Sequence, residues 1–335
     1  MFCFSHGVEQ EFQIVDGEGK LVPAFDEIIK RVPDSYKKPN TRGFRFIWQD
    51  DYKTQLEIST GVCWTYERLE YWLRQLRAVA IEAAEASGYH LIAAGCNPLK
   101  DINPQEFFSE QHHVGVSNGE KTCRVFNSVR NNIHHLISYS VNSPFHDAAL
   151  SGFKSYRMAS AVAIGPISGL PYLAEPCDIK ELRDLVRKDP RQLDATPISD
   201  WNTTEVRLFD SQPSIHLTLS TAVIIQAMFD KAIKDGVPYV NQKEIAENRR
   251  LAIRFGMAAK FGGVPGSKSL MQFLDSLEGE IEGMGFSKKE LVPWKMAQHG
   301  KTLADWQTDV QREGGFERLA RHLIRYTKAG KGLLG

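Results

Sequence analysis

The sequence predicts an α+β fold in one domain, residues 1–335. Three observations carry that expectation. Several short stretches alternate apolar and polar residues with the period of two that a strand requires. Longer stretches between them repeat apolar residues three and four apart, the period of a helix. No internal repeat, linker or low-complexity segment divides the chain, so strands and helices follow one another within a single unit.

The elements follow in order. "GVEQEFQIVD", residues 7–16, reads as a strand with Val8, Gln10, Phe12 and Ile14 on one face and Glu9, Glu11, Gln13 and Val15 on the other. "DGEGK" is a hairpin turn, residues 25–32 a short helix, and "VPDSYKKPNTRG" a polar loop. "FRFIWQDDYKTQLEIST" yields two strand pieces broken at Asp50-Asp51. Thr65 caps a helix whose Leu69, Trp72, Leu73, Leu76, Val79 and Ala80 form its core stripe, up to a stop at Gly88. "HLIAAGCNP" is a buried strand entering a turn, and "HHVGVSN" a short strand. Residues 121–140 are helical and end at "NSPF"; 150–163 form a helix leading into the loop "GPISGLP". "TTEVRLFD" is a strand, 215–235 and 242–260 are helices, and "FGGVPGSKS" is a loop. The last 70 residues are mostly helical, with a basic Gly/Lys tail.

Composition excludes some functions. Lys plus Arg (41) equals Asp plus Glu (41), so no global basic field holds a nucleic acid or an anionic membrane. Charged chemistry must be local. No apolar run reaches the length of a membrane span, and "MFCFSHGVEQ" lacks the basic and long apolar regions of a signal peptide. Cys3, Cys63, Cys96, Cys123 and Cys177 are scattered without a CxxC pair, which reads as reduced thiols in a cytoplasmic protein. Subunit number is not legible, and a homodimer stays open.

The acids stand out. Glu9 and Glu11 point the same way from one strand and repel unless a cation lies between them or the face is wet. Glu57 faces opposite Leu56 and Ile58, with Asp50 seven residues before it. Glu205 shares a face with Arg207, and Gln111 with His113. Several such strands suggest a sheet lining a polar cavity. Hard oxygen ligands suit Mg²⁺, and the added imidazole keeps Mn²⁺ admissible. Mg²⁺ bound this way shares its coordination with substrate phosphates. Arg207 supplies a fixed positive charge for phosphate or carboxylate.

"GVEQEF", "LEIST", "HHVGV", "NSPF", "SYR", "GPISGLP", "TTEVRLFD" and "ENRRLAIRFG" occur in the order of the glutamate–cysteine ligase type 2 group, which the chain resembles over residues 7–260. The resemblance implies a glutamine-synthetase-like catalytic fold, an antiparallel sheet cupping ATP and several Mg²⁺ ions with helices on its outer face. It implies a carboxylate–amine ligase: ATP phosphorylates a carboxylate, glutamate being one candidate, and an amine attacks the acyl phosphate, releasing ADP and phosphate. By position it implies that Glu9, Glu11, Asp50, Glu57, His113 and Glu205 are metal ligands. Arg207 is then the catalytic arginine on the nucleotide phosphates, and Arg157 of "SYR" faces the substrate, with Gln111 beside it. Arg254 of "RFG" matches a position without an assigned role. One departure stands out: the group has His-Val-His before its glycine, whereas this chain has Gln111-His112-His113. If the first histidine is a ligand, Gln111 must substitute through its amide oxygen.

Other residues read as structural. His112 lies on the face opposite His113. His134 and His135 belong to helix packing or surface. "GGVPGSKS" lacks the order of a phosphate loop. Cys3 and Cys177 have no adjacent base and are not nucleophiles. The Trp and Leu residues of helix 66–87 are core. Two further function classes stay open: a phosphotransferase of guanidino-kinase type, and a non-catalytic nucleotide- or metal-binding homologue. The Gln111 departure favours the last; the retained acids oppose it.

Overall fold

The computed structural model describes residues 1–37, 45–49, 52–99, 106–116, 119–164, 173, 194–198 and 203–330. Asp50 and "GPISGLP" lie outside them. A seven-stranded antiparallel sheet organises the rest. Its strands are β1 (His6–Val15), β2 (Phe46–Trp48), β3 (Gln55–Ser59), β4 (His90–Ile92), β5 (Ser109–Val114), β8 (Ala195–Ile198) and β9 (Thr203–Asp210), with two small hairpins, β6–β7 and β10–β11, outside it. The order is β2-β3-β1-β5-β9-β8, with β4 also on β1.

Alternation divides the sheet as expected. Val8, Phe12, Ile14, Leu56 and Ile58 are fully buried against helices. Each side chain of this size stabilises by about 2 kcal/mol on burial. Helix α2 (Tyr66–Ala86) supplies Leu69, Leu73 and Leu76 to that face. The Thr65 side chain accepts from the Arg68 amide, and the chain leaves through Gly88 at φ 85°. Helix α3 (Gly119–Ser140) packs on β9, and α5 (Ile215–Asp235), buried over most of its circumference, packs on α3 and α2. The far end of the other face is closed by Val15, Ile92 and Phe108 packed on Leu319 and Leu323 of the last helix, α10 (Leu303–Ala329). The Glu9–Glu11 half has no such apolar cover among the described residues.

Several expectations are corrected. The first helix shrinks to α1 (Phe25–Ile28). The helix expected from residue 150 starts at Tyr156 (α4, Tyr156–Ile164). Before it lies the hairpin β6 (Phe145–His146) and β7 (Ala149–Leu150), turned by Asp147 and Ala148 at φ 50° and 55°. The helix expected to 260 ends at Phe255 (α6, Gln242–Phe255), where Gly256 takes φ 55°. The expected loop "FGGVPGSKS" is the hairpin β10 (Lys260–Phe261) and β11 (Val264–Pro265), followed by α7 (Gly266–Ser276). The remaining α-helices among the described residues are α8 (Glu278–Gly283) and α9 (Val292–His299). Trp72 is only half-buried, with the Arg45 guanidinium 4.0 Å over its ring. His134 and His135 are packed, not surface: His135 stacks on Phe273. The five-thiol expectation is also wrong: Cys3, Cys63 and Cys96 form no disulfide, but Cys123 is in a disulfide whose partner lies outside the described residues. Among the described residues no helix is long and apolar enough to cross a membrane.

Candidate active site

Register assembles the polar face. Glu11 lies directly opposite Glu57, Glu9 opposite Gln111, and His113 opposite Glu205. Directly opposed residues of an antiparallel pair share a face. The structure therefore brings Glu57, Glu9, Glu11, Gln111, His113, Glu205 and Arg207 onto one surface across β3, β1, β5 and β9, three strand spacings or about 14 Å wide.

The contacts run between strands. His113 Nε2 and Glu9 Oε2 are 3.1 Å apart. Burial lowers the His113 pKa, but Glu9 beside it and Glu205 opposite outweigh burial, so the net shift is upward. The Glu11 carboxylate accepts from the Ser109 amide and from Gln111 Nε2 at 3.2 Å. Gln111 thus engages its amide nitrogen, not its oxygen. Arg207 Nε stands 3.8 Å from Glu205 Oε1. Four carboxylates therefore face Arg207 and one imidazole. Glu11 and Glu57 are buried and opposed, an arrangement of like charges that is unfavourable without a counter-ion. This donor set fits a hard divalent cation. Among the described residues no three His, Cys, Asp or Glu side chains are already closed around one point; they stand in cross-strand pairs.

Sequence reasoning missed Asp210. A bulge between Glu110 and His112 shifts the β5–β9 register, so that Asp210 comes opposite Ser109, on the polar face. Its Oδ2 accepts from the Asn142 amide and Ser143 Oγ, at 2.7 and 2.8 Å. Its Oδ1 accepts from Ser155 Oγ and Arg157 Nε, at 2.9 and 2.8 Å. "NSPF", "SYR" and "TTEVRLFD" thus meet at one carboxylate. Gly95 is required there: a Cβ on it would stand 2.6 Å from the Asp210 carboxyl. Arg157 is held at the first turn of α4, and its second terminal nitrogen, Nη2, is buried with no hydrogen-bond partner among the described residues. Arg254 is exposed and lies over the Phe255 ring.

The helix side of the same strands was missed too. His112, Glu110, Gln10 and His6 are fully buried there with Arg77 of α2. Burial pushes His112 down to about 3 and His6 well below its ordinary value, so both are neutral. Burial pulls Arg77 down to about 10. Burial raises Glu110 from 4.5 to about 7, against the opposing pull of Thr218, Arg77 and Gln10. An acid whose pKa folding raises binds more protons folded than unfolded between the two values. Its contribution to stability is therefore lost as pH rises through that window, here about 4.5 to about 7. Melting temperatures of the wild type are expected to fall across this range more steeply than those of Glu110→Gln, which cannot titrate. Parallel curves would refute this.

The sequence matches the family described as "Glutamate-cysteine ligase family 2" over residues 5–109 and 105–322. A Sorangium cellulosum protein assigned as glutamate–cysteine ligase 2 is 26% identical, covering 98% of this chain and 97% of its own. Its Thermobifida fusca counterpart is 22% identical, covering 98% and 92%. Two solved structures share the fold. Glutamate–cysteine ligase from Francisella tularensis, in complex with AMP, superposes with TM-score 0.70 at 12% identity, covering 98% of this chain and 89% of that one. A bifunctional glutathione synthetase from Pasteurella multocida gives TM-score 0.70 at 15% identity, covering 97% and 52%.

Proposed function

The chain belongs to glutamate–cysteine ligase family 2 and is a carbon–nitrogen ligase, and from that premise we propose that residues 1–335 form one catalytic domain that uses ATP to join a small carboxylic acid to an amine through an acyl phosphate, in the cytoplasm. The observation that carries this is the polar face itself: Glu9, Glu11, Glu57, Glu205 and His113 on adjacent strands, with Arg207 at its edge.

Those five side chains, with Asp50, would hold Mg²⁺ or Mn²⁺, which supplies charge neutralisation for the phosphates. Arg207 reaches the transferring phosphoryl oxygens with a planar, permanently charged donor. Arg157, anchored through Nε by Asp210, keeps another nitrogen for a substrate carboxylate. Gln111 braces Glu11 and borders the substrate. The acid's oxygen attacks the terminal phosphorus and ADP leaves. The amine then attacks the acyl carbon and phosphate leaves. Positioning and charge stabilisation suffice; no side-chain nucleophile is needed.

Screening pairs of acids and amines for ADP release, with mass detection of the amide, tests this. ADP formed with an amine alone supports the phosphotransferase instead. Within the site, His113→Ala is expected to lower turnover by about a hundredfold, because Glu9 and Glu205 lose the imidazole between them. Gln111→His, which restores the family's pattern, is expected to keep or raise turnover. Wild-type kinetics in His113→Ala with a dead His112→Ala would place the wrong histidine in the site.

A further inference from the structure

Beneath the polar face runs a chain of buried side chains whose donors and acceptors match in one direction when Glu110 is ionised. Gln226 starts it. Its Oε1 accepts from the Phe4 amide at 2.9 Å and its Nε2 donates to the Phe4 carbonyl at 3.0 Å, so backbone sets its orientation. Nε2 also meets His6 Nδ1 at 3.1 Å, which makes Nδ1 an acceptor. Neutral His6 then carries its proton on Nε2 and donates to His112 Nδ1 at 2.9 Å. His112 in turn donates from Nε2 to Glu110 Oε1 at 3.0 Å. The other Glu110 oxygen accepts from Gln10 Nε2 at 2.9 Å and Thr218 Oγ1 at 2.7 Å. Gln10 Oε1 accepts from Arg77 Nε at 2.7 Å. All donors run one way and end on one carboxylate.

That carboxylate sits where β5 bulges, immediately before Gln111. Its partners come from β1, α5 and, through Gln10, α2. The two strands it ties carry Glu9, Glu11, Gln111 and His113 on their other face. A slip of two residues would return the same face of the strand to the core, whereas a buried anion needing three donors is satisfied in one register. His112 also occupies the middle place of the motif, where the family's pattern has valine.

We propose that Glu110 is a positioning residue: as the common acceptor of this one-way chain it locks the register of β1 against β5 and so aims Gln111 and His113 into the site. Only the kinetic part of its test rests on the ligase assignment.

Glu110→Gln preserves size but brings two amide protons. In one orientation they meet the His112 donor; in the other they meet Gln10 Nε2. Reversing the histidine tautomers relieves the first conflict but moves it to Gln226. The full-length protein labelled with ¹⁵N-histidine is the probe. In the wild type both His6 and His112 are expected to be neutral and protonated on Nε2. Glu110→Gln is expected to shift the His113 imidazole resonances and to lower kcat about tenfold, with the KM for ATP changed less than about twofold. An Nδ1 proton on either wild-type imidazole, or unmoved His113 resonances in Glu110→Gln, overturns the proposal. Should Glu110→Gln not fold, Thr218→Val removes one donor at constant charge; it must then shift His113, and no shift overturns it. Absence of turnover in the wild type would sink the ligase assignment while leaving the spectra to decide this one.

Discussion

Glu57→Gln is expected to lower ADP release by at least about a hundredfold and to raise the melting temperature of the metal-free protein. Both effects come from one pairing. Glu57 and Glu11 oppose each other across β3 and β1, and both are buried. Two like charges so placed destabilise the sheet unless something positive lies between them. Removing one charge removes their mutual repulsion. It also removes an oxygen ligand from the proposed cation site, and with it the neutralisation that phosphoryl transfer needs. The wild type should accordingly gain thermal stability on adding Mg²⁺ or Mn²⁺, since a ligand bound only by the folded state stabilises it. Glu57→Gln should gain less, and excess chelator should stop turnover of the wild type. Full turnover in chelator, or a metal-free Glu57→Gln that melts below the wild type, refutes the account.

The strands that build this face were legible because alternation is a local signal. Glu57 stands between Leu56 and Ile58, Glu9, Glu11 and Glu205 each adjoin one apolar residue of the opposite face, and register then brings the four together. Helices 66–86 and 215–235 were legible for the same reason, each with a capping side chain at its start. What stayed hidden depends on register or on distant partners. Asp210 reaches the polar face only because a bulge shifts β9 against β5. Its ion pair with Arg157 spans 53 residues of chain. The Glu110 network left a trace that alternation could have exposed: Gln10 lies on the apolar face of its strand, and Arg77 lies beside the apolar stripe of its helix. A polar residue on a buried face needs a partner, and here each partner is the other's. The hairpin at 145–150 went unread between "NSPF" and the helix expected from 150, and the one at 260–265 was read as a loop, because two-residue strands are too short to show a period.

Arg207→Lys is expected to leave the chain folded and ATP bound, yet to lower kcat about a hundredfold. The Arg207 side chain is 28% exposed, against 5% for Glu205 beside it. Exposure lets it meet a ligand, while Glu205 and the Asp194 carbonyl, which accepts from its backbone amide at 3.1 Å, hold its base in place. A guanidinium presents a flat pair of donors to two phosphoryl oxygens as charge grows on them. A lysine meets the same oxygens as a point charge. The loss should therefore fall on kcat, because the interaction strengthens in the transition state, and only weakly on the KM for ATP. Ser143 and Ser155 donate their hydroxyls to Asp210, the carboxylate that also anchors Arg157, and the proposed route activates the acid by phosphorylation rather than by transfer to the chain. Heavy oxygen placed in the acid's carboxylate is then expected in the released phosphate, one atom for each amide formed. Label retained entirely in the amide and water, or AMP in place of ADP, would defeat the acyl-phosphate route, and an Arg207→Lys enzyme with unchanged kcat would remove Arg207 from it.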